Sequence, residues 1–218
     1  MKRFLFFAYR EWAINIFNRI SNDEDEFLLI TNKNSCTKNL ITTINPDIIF
    51  FYGWSWIVPN SIIDNYTCLC IHPSPLPKYR GGSPLHNQII AGEKNSAMTI
   101  FKMDYTLDTG PIYYQESFSL DGYLDTILSN MELIGYKGTL KFIFDYKNNS
   151  VVFKEQDHKR ATIYKRRTPK ESEIIPNDFY IFDAKYFFNK VRMLQSPYPE
   201  CYIHCKTGKL ILKEVAYE

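Results

Sequence analysis

Pro46-Asp-Ile-Ile-Phe-Phe-Tyr-Gly-Trp-Ser-Trp-Ile-Val-Pro59, continued by Thr67-Cys-Leu-Cys-Ile-His72, is the stretch on which the fold turns. Ile48 to Tyr52 is a short apolar run behind the turn signal Asn45-Pro46-Asp47, which predicts a buried strand. Pro59 to Asn65 predicts a short helix with proline near its start. Thr67 to His72 predicts the next strand. A strand, a helix and a strand within 25 residues make a βαβ unit, so the sheet is expected to be mostly parallel.

The same alternation continues upstream. Lys2 to Ala8 reads as a strand buried on both faces. Trp12, Ala13, Ile16, Phe17 and Ile20 recur at helical spacing, and Phe27 to Thr31 reads as a second strand. No GxGxxG follows the first strand, where the chain reads Ala8-Tyr-Arg-Glu-Trp-Ala13, which argues against a dinucleotide cofactor. In sheets of this kind a ligand sits beyond the carboxyl ends of the strands. The loop Gly53 to Trp56 and the strand-ending His72 fall on that edge.

Downstream lies Cys70-Ile-His-Pro-Ser-Pro-Leu-Pro-Lys-Tyr-Arg-Gly-Gly-Ser-Pro84, too rich in proline and glycine for a regular element. A long irregular segment between a strand and a helix (Leu85 to Gly92) marks a functional loop. Ala97 to Met103 and Pro111 to Leu120 read as extended, flanking a turn that ends in Asp108-Thr-Gly110. Leu124 to Tyr146 is a long helical pattern and Val151 to Phe153 a short strand. His158 to Glu173 is charged and reads as a linker or exposed loop. A helix over Tyr180 to Leu194 and a hairpin from Cys201 to Cys205 and Leu210 to Val215 close the pattern. The expected fold is α/β: a Rossmann-like, mostly parallel sheet with helices on both faces and a small C-terminal helix-and-hairpin appendage. Residues 1–157 form the expected catalytic domain and 158–218 the linker and appendage.

Composition narrows the classes. The chain has 218 residues, 45% of them hydrophobic and 23% charged, as folded domains do. A net charge of +2 gives no concentrated basic face for nucleic acid. No apolar run approaches the roughly 20 residues of a membrane span. The N-terminal apolar run is too short, and lacks the cleavage site, for a signal peptide. The five cysteines make no disulfide framework, so the cytoplasm is the expected compartment. Cys68-x-Cys70 and Cys201-x3-Cys205 lack zinc-site spacing and read as small core residues, with no metal expected.

Two residues carry the candidate chemistry, His72 and Asp108, 36 positions apart with a helix and a strand between them. One βαβ crossover would return the second beside the first. A histidine oriented by a carboxylate is a general acid/base arrangement. Spacing alone leaves a second reading open: a capped loop histidine and a turn aspartate bonded to its own backbone.

The residues resemble a known family at this point. Cys70-Ile71-His72, Pro73-Ser74-Pro75-Leu76-Pro77, Arg80-Gly81-Gly82-Ser83-Pro84 and Asp108-Thr109-Gly110 are similar, in order and spacing, to the signature of 10-formyltetrahydrofolate-dependent formyltransferases. Pro46 to Pro59 resembles that family's Pro-Asp strand and aromatic-glycine loop. Gln156 with Ala161-Thr162, and Arg192 before Pro197-Tyr-Pro199, extend the resemblance over most of residues 46 to 200. It implies formyl transfer from 10-formyltetrahydrofolate to an amine, with His72 as acid/base or oxyanion partner and Asp108 orienting it. By the same resemblance, backbone groups of Tyr52, Gly53, Trp54 and Trp56, and of Tyr105, Leu107, Asp108 and Gly110, hold the pterin. Ser74, Pro75, Tyr79, Arg80, Gly81, Gly82, Asn87, Arg166 and Arg167 are the substrate-side candidates. The family asparagine two before the histidine is Cys70 here, and a thiol is a weak donor. Asn87 or Ser74 as a replacement donor, slower chemistry, loss of activity, and Cys70 as nucleophile all stay open on the sequence.

Within the family, the short C-terminal hairpin and mild charge resemble the sugar N-formyltransferases. The implied acceptor is a nucleotide-linked, dTDP-type amino-dideoxy sugar for surface polysaccharide, with a homodimer through the appendage. The run Lys165-Arg166-Arg167-Thr168-Pro169-Lys170 reads equally as a contact for its diphosphate or as a solvated loop. Formyl transfer to Met-tRNA or a small amine, and a non-catalytic folate or sugar-nucleotide binder, are the alternatives.

Overall fold

The computed structural model describes residues 1–20 and 24–218. In chain order its elements are β1 (Arg3–Ala8), α1 (Glu11–Ile20), β2 (Glu26–Ile30), α2 (Lys38–Ile44), β3 (Ile48–Tyr52), α3 (Asn60–Ile63) and β4 (Cys68–His72). They continue with β5 (Arg80–Gly81), α4 (Pro84–Ile90), β6 (Asn95–Lys102), β7 (Ile112–Ser119), α5 (Leu124–Lys147) and β8 (Ile163–Tyr164). The last three are α6 (Ala184–Met193), β9 (Cys201–His204) and β10 (Lys209–Leu212).

The main sheet has the order β2-β1-β3-β4-β6-β7. The first four strands run parallel, while β6 and β7 are antiparallel to their neighbours. Both faces are covered, which is why the strands read as continuous apolar runs rather than alternating ones. Phe4, Phe6, Phe50 and Tyr52 point to one face, under α1 and α5. Leu5, Phe7, Ile49 and Phe51 point to the other, under α2 and α3. Phe4, Phe6, Phe7, Phe50 and Phe51 are all essentially without solvent exposure. At about 1.5–3 kcal/mol for each such side chain, the β1–β3 pair dominates the core. Gly135 and Gly138 do not break α5; an added Cβ would stand 2.5 Å from Ile16 and 2.6 Å from Tyr114, so they let the helix close on α1 and the sheet.

Four expectations change. Residues 38–44, given no element from sequence, form α2, capped by the Thr37 side chain and ended by Asn45 in the left-handed conformation. Val151 to Phe153 is no strand; only Lys154 bridges to Ile112. Cys205 is exposed rather than a core residue, while Cys68 and Cys201 are buried. Residues 158–173 are no free linker: β8 pairs with β5. Beyond them Ile174, Val191, Met193 and Cys201 join the core on the α1 and α5 side. No helix among the described residues is long and apolar enough to cross a membrane.

Candidate active site

β4 delivers His72 to the carboxyl end of the parallel strands, buried at 6% exposure. Its partner arrives by an unexpected route. β6 lies antiparallel to β4, with Lys102 opposite Leu69, so no βαβ crossover connects His72 to Asp108. The β6–β7 connection starts beside Cys68, where Met103 N donates to its carbonyl at 2.8 Å. It then folds back along β4 by four residues, roughly 13 Å, to bring Asp108 to His72.

The two side chains face each other with His72 Nδ1 3.6 Å from Asp108 Oδ2. The other ring nitrogen, Nε2, lies 2.8 Å from the Tyr79 carbonyl oxygen. A carbonyl only accepts, so Nε2 carries a proton and Nδ1 is the nitrogen whose proton can come and go. At 3.6 Å the carboxylate supports charge on Nδ1 while leaving it free of a short hydrogen bond.

Asp108 is held from several sides. Gly81 N donates to Oδ2 at 2.7 Å. Gln156 Nε2 donates to the Asp108 carbonyl at 3.0 Å and to the Gly110 carbonyl at 2.7 Å. Gln156 Oε1 in turn accepts from Arg80 Nη2 at 2.6 Å and Nε at 3.2 Å. The ring of contacts from Arg80 through Gln156 to Asp108 and back to Gly81 is buried. Burial lowers the basicity of Arg80, against the raising effect of the Asp108 and Asp104 charges. Tyr79, Ser83 and Asp108 all take positive φ (58°, 49° and 56°), three of the five such non-glycine residues described. That concentration of strained backbone marks a functional site.

Residues 162–166 strap the loop in place. Arg80 N donates to Thr162 O at 2.9 Å and Gly82 N to Tyr164 O at 2.8 Å. The Tyr79 ring stacks on Tyr164 at 4.9 Å. A Cβ on Gly82 would lie 2.3 Å from Arg166 Cα, so glycine here is demanded by the strap.

The remaining sequence candidates divide. Ser74 is fully buried and its hydroxyl donates to Lys78 O at 2.8 Å. Asn87 donates to Gly82 O at 2.9 Å. Both amide and hydroxyl are therefore spent on the loop. Tyr79 and Arg80 are likewise committed, the Tyr79 hydroxyl to Glu93 at 2.8 Å. Pro75 has no polar side-chain group to offer, and the exposed Arg166 makes no side-chain hydrogen bond or ion pair among the described residues. Arg167 is the half-buried cation of the strap. Tyr52 is turned into the core, where its hydroxyl meets Thr139 Oγ1 at 2.9 Å, so only its backbone borders the site. Trp54 packs on Phe7 and Phe51, and its buried Nε1 has no hydrogen-bond partner among the described residues. Trp56 (39% exposed), Tyr105 (69%) and Leu107 (65%) offer apolar surface. Cys70 shares the His72 face of β4. Burial and the Asp108 carboxylate push its thiol well above the ordinary range, which keeps it a thiol and removes it as a nucleophile.

Gln156 entered through the resemblance alone, and its role shows only once its four hydrogen bonds to Arg80, Asp108 and Gly110 are seen. Gln156→Leu keeps the shape but removes both bonds from Oε1 to the buried Arg80 guanidinium, leaving Nη2 only His158 Nδ1 at 3.1 Å, and orphans two carbonyls. Urea denaturation should show a loss of about 3 kcal/mol; a change under about 0.5 kcal/mol would remove the clip from this account.

A family model described as formyl transferase matches residues 23–129. Methionyl-tRNA formyltransferase of Thermotoga maritima is 32% identical over 160 residues, 72% of this chain and 50% of that protein. The chain spans between 30% and 53% of the length of such curated relatives. Among solved structures, methionyl-tRNA formyltransferase from Clostridium thermocellum superposes with a TM-score of 0.87 at 30% identity, covering 100% of this chain and 94% of that one. A 4-N formyltransferase from Francisella tularensis superposes at 0.79 with 18% identity, over 99% of this chain and 98% of that one, a likeness of fold.

Proposed function

The chain belongs to the formyl transferase family, and from that premise we propose that it transfers a formyl group from 10-formyltetrahydrofolate to an amine, specifically that of a nucleotide-linked amino sugar. The observation that carries the reading is the pair His72–Asp108: a buried imidazole with one nitrogen locked on a carbonyl and the other open toward a carboxylate.

The residues present fit a folate. Exposed apolar surface at Trp56, Tyr105 and Leu107 suits a flat ring, and the orphaned Trp54 Nε1 is a donor in want of an acceptor. Backbone groups of residues 53–56 and 105–110 would hold it. When bound, 10-formyltetrahydrofolate supplies the formyl carbon. The chain's own residues do the rest. His72 Nδ1 takes the proton that the attacking amine loses and holds it beside the Asp108 carboxylate. Tyr79 O fixes the ring so that Nδ1 cannot turn away. Cys70 stands where the family places an asparagine amide toward the oxygen on which negative charge develops, and its thiol donates weakly.

Cys70→Asn should therefore raise kcat about tenfold, a fraction of the ~10²–10³ that one such donor contributes elsewhere. A rate at or below wild type in a variant of unchanged stability would remove this role for position 70.

The amino-sugar acceptor is supported by the mild net charge of +2, poor for a polyanion, and by Arg167 in the strap beside the loop. A second reading, Met-tRNA as acceptor, is favoured by the identity of the relatives. Supplying the purified protein with 10-formyltetrahydrofolate and dTDP-, UDP- or GDP-linked amino sugars, or charged tRNA, and following tetrahydrofolate release decides between them. Saturable turnover with tRNA alone would replace the sugar reading.

A further inference from the structure

Arg80 brings a positive charge into the wall of the loop that carries His72, and the residue is only 4% exposed. A guanidinium has five N–H donors and accepts nothing, so at that depth its partners decide where it sits. Among the described residues two side-chain acceptors lie within hydrogen-bond distance of it. One is Gln156 Oε1; the other is His158 Nδ1, 3.1 Å from Nη2. Asp108 and Asp104 act on it through their charge.

His158 differs from the other members of this ring in being exposed. It opens the single turn His158–Arg160, where the Asp157 carboxylate accepts from Lys159 N at 3.2 Å and Ala161 N donates to His158 O at 3.3 Å. The turn therefore presents the imidazole to Arg80 from a fixed backbone. Because Arg80 can only donate, His158 Nδ1 carries no proton in this arrangement, and the neutral ring holds its proton on Nε2. A second proton would go to Nδ1. There it turns the acceptor into a donor and sets an imidazolium against a guanidinium at 3.1 Å. Both effects push Arg80 away. The charged groups around His158 are Arg80 of β5, Asp157, Lys159 and Arg160 of its own turn, and, beyond the guanidinium, Asp108 and Asp104.

The consequence runs through Gln156, whose two ends are spent on different segments. Oε1 accepts from Arg80, while Nε2 holds the carbonyls of Asp108 at 3.0 Å and Gly110 at 2.7 Å. The Asp108 carboxylate in turn stands 3.6 Å from His72 Nδ1. A displaced guanidinium takes its hold off Gln156, and Gln156 takes its hold off the turn that aims Asp108.

We propose that His158 is a positioning residue for the transfer: neutral, it holds Arg80 and so keeps Asp108 aimed at His72; protonated, it releases Arg80 and the aim is lost. The inference rests on the formyl transfer proposed above. His72 is buried and His158 is at the surface, so the second histidine exposes the alignment of the first to the pH of the surroundings.

Two variants of the full chain test it, with the acceptor that gives saturable turnover. His158→Asn places Oδ1 as many bonds from Cβ as Nδ1, so it keeps the acceptor and loses the titration. His158→Leu keeps the bulk and loses both. At about pH 8, His158→Leu should lower kcat about tenfold, the worth of one hydrogen bond to a charged group, with KM for the folate within about twofold. His158→Asn should restore kcat to within about twofold of wild type. Between about pH 8 and 5, where imidazole changes charge, kcat/KM of wild type should fall about tenfold further than that of His158→Asn, whose acid limb is left to His72. Melting temperatures should stay near wild type, since the replaced side chain is exposed. With no substrate present, the Gln156 side-chain amide signals in a proton–nitrogen correlation spectrum should move over the same pH span, and His158→Asn should abolish that movement. Full kcat in His158→Leu, one pH profile shared by wild type and His158→Asn, or Gln156 signals indifferent to pH in wild type each overturn the proposal. If the signals behave as expected in a chain that formylates no amine, the coupling of His158 to the loop stands and the transfer reading falls. If an amine is formylated and both variants match wild type at every pH, the reverse holds.

Discussion

His72→Ala should lower kcat/KM by between about 10² and 10⁴, the range for loss of a general acid/base group. Affinity for tetrahydrofolate should stay within about threefold, because the imidazole is enclosed by Tyr79 and Asp108 rather than presented as binding surface. Asp108→Asn should cost a similar factor by a different route. The amide can still accept from Gly81 N, which donates to Oδ2 at 2.7 Å, so the loop stays seated while the charge beside Nδ1 is gone. If the two residues act as one unit, the double variant loses little more than the worse single one. Steady-state kinetics on the four proteins checks both statements. More than a tenth of wild-type kcat/KM in His72→Ala, or simple multiplication of the two losses, removes the pair from the chemistry.

Gly110→Ala should produce the largest effect on folding. A Cβ there would stand 1.8 Å from the Lys102 carbonyl oxygen. That oxygen cannot retreat easily, because Lys102 N is bonded to Pro111 O at 3.0 Å and the strand behind it is paired on both sides. Overpacking against fixed backbone costs about 3 kcal/mol or somewhat more. At roughly 2–4 °C for each kcal/mol in a chain of this size, the melting temperature should fall by about 6–12 °C. Activity should fall further than stability, since the displaced segment carries Asp108 and both carbonyls held by Gln156. Thermal unfolding and initial rates at a temperature where the variant is folded test the two halves. A variant with wild-type melting and rate would show that the turn relaxes without disturbing Asp108.

The parts of this architecture legible in the sequence are those where one residue's neighbours along the chain decide its state. Phe4 to Ala8 and Ile48 to Tyr52 had to be strands buried on both sides, whatever they paired with. The loop after His72 had to be irregular. What stayed hidden depended on distant partners. α2 buries only Ile41 and shows Lys38, Asn39, Thr42 and Thr43, so periodicity could not reveal it. The antiparallel run of β6 turns on hydrogen bonds that a six-residue apolar pattern does not encode. In the site, His72 and Asp108 were visible as chemistry, whereas the clip that Gln156 makes on them was not. Tyr52 was expected to lend the site its backbone alone, and period-two alternation does send its ring into the core. The charged run from His158 was read as solvent-facing, and its side chains mostly are. Its backbone is what does the binding, and backbone has no letter in a sequence.

The strap also sets an order of assembly. A chain emerging from the ribosome presents β1 to β4, then β6 and β7, and a sheet with His72 and Asp108 in place needs nothing past α5. Yet Tyr79, whose carbonyl orients the imidazole, donates its own N–H to Thr162 Oγ1, and Gly82 donates its N–H to the Tyr164 carbonyl. Gln156 arrives only slightly earlier. Because domains condense as their residues become available at about 5–20 residues each second, the catalytic pair would exist in the nascent protein for several seconds before the segment that aims it has been synthesised. A stalled fragment ending at residue 157 would thus hold both proposed catalytic groups and remain unaimed, so competence waits for residues 162–164 rather than arriving with the site's own side chains.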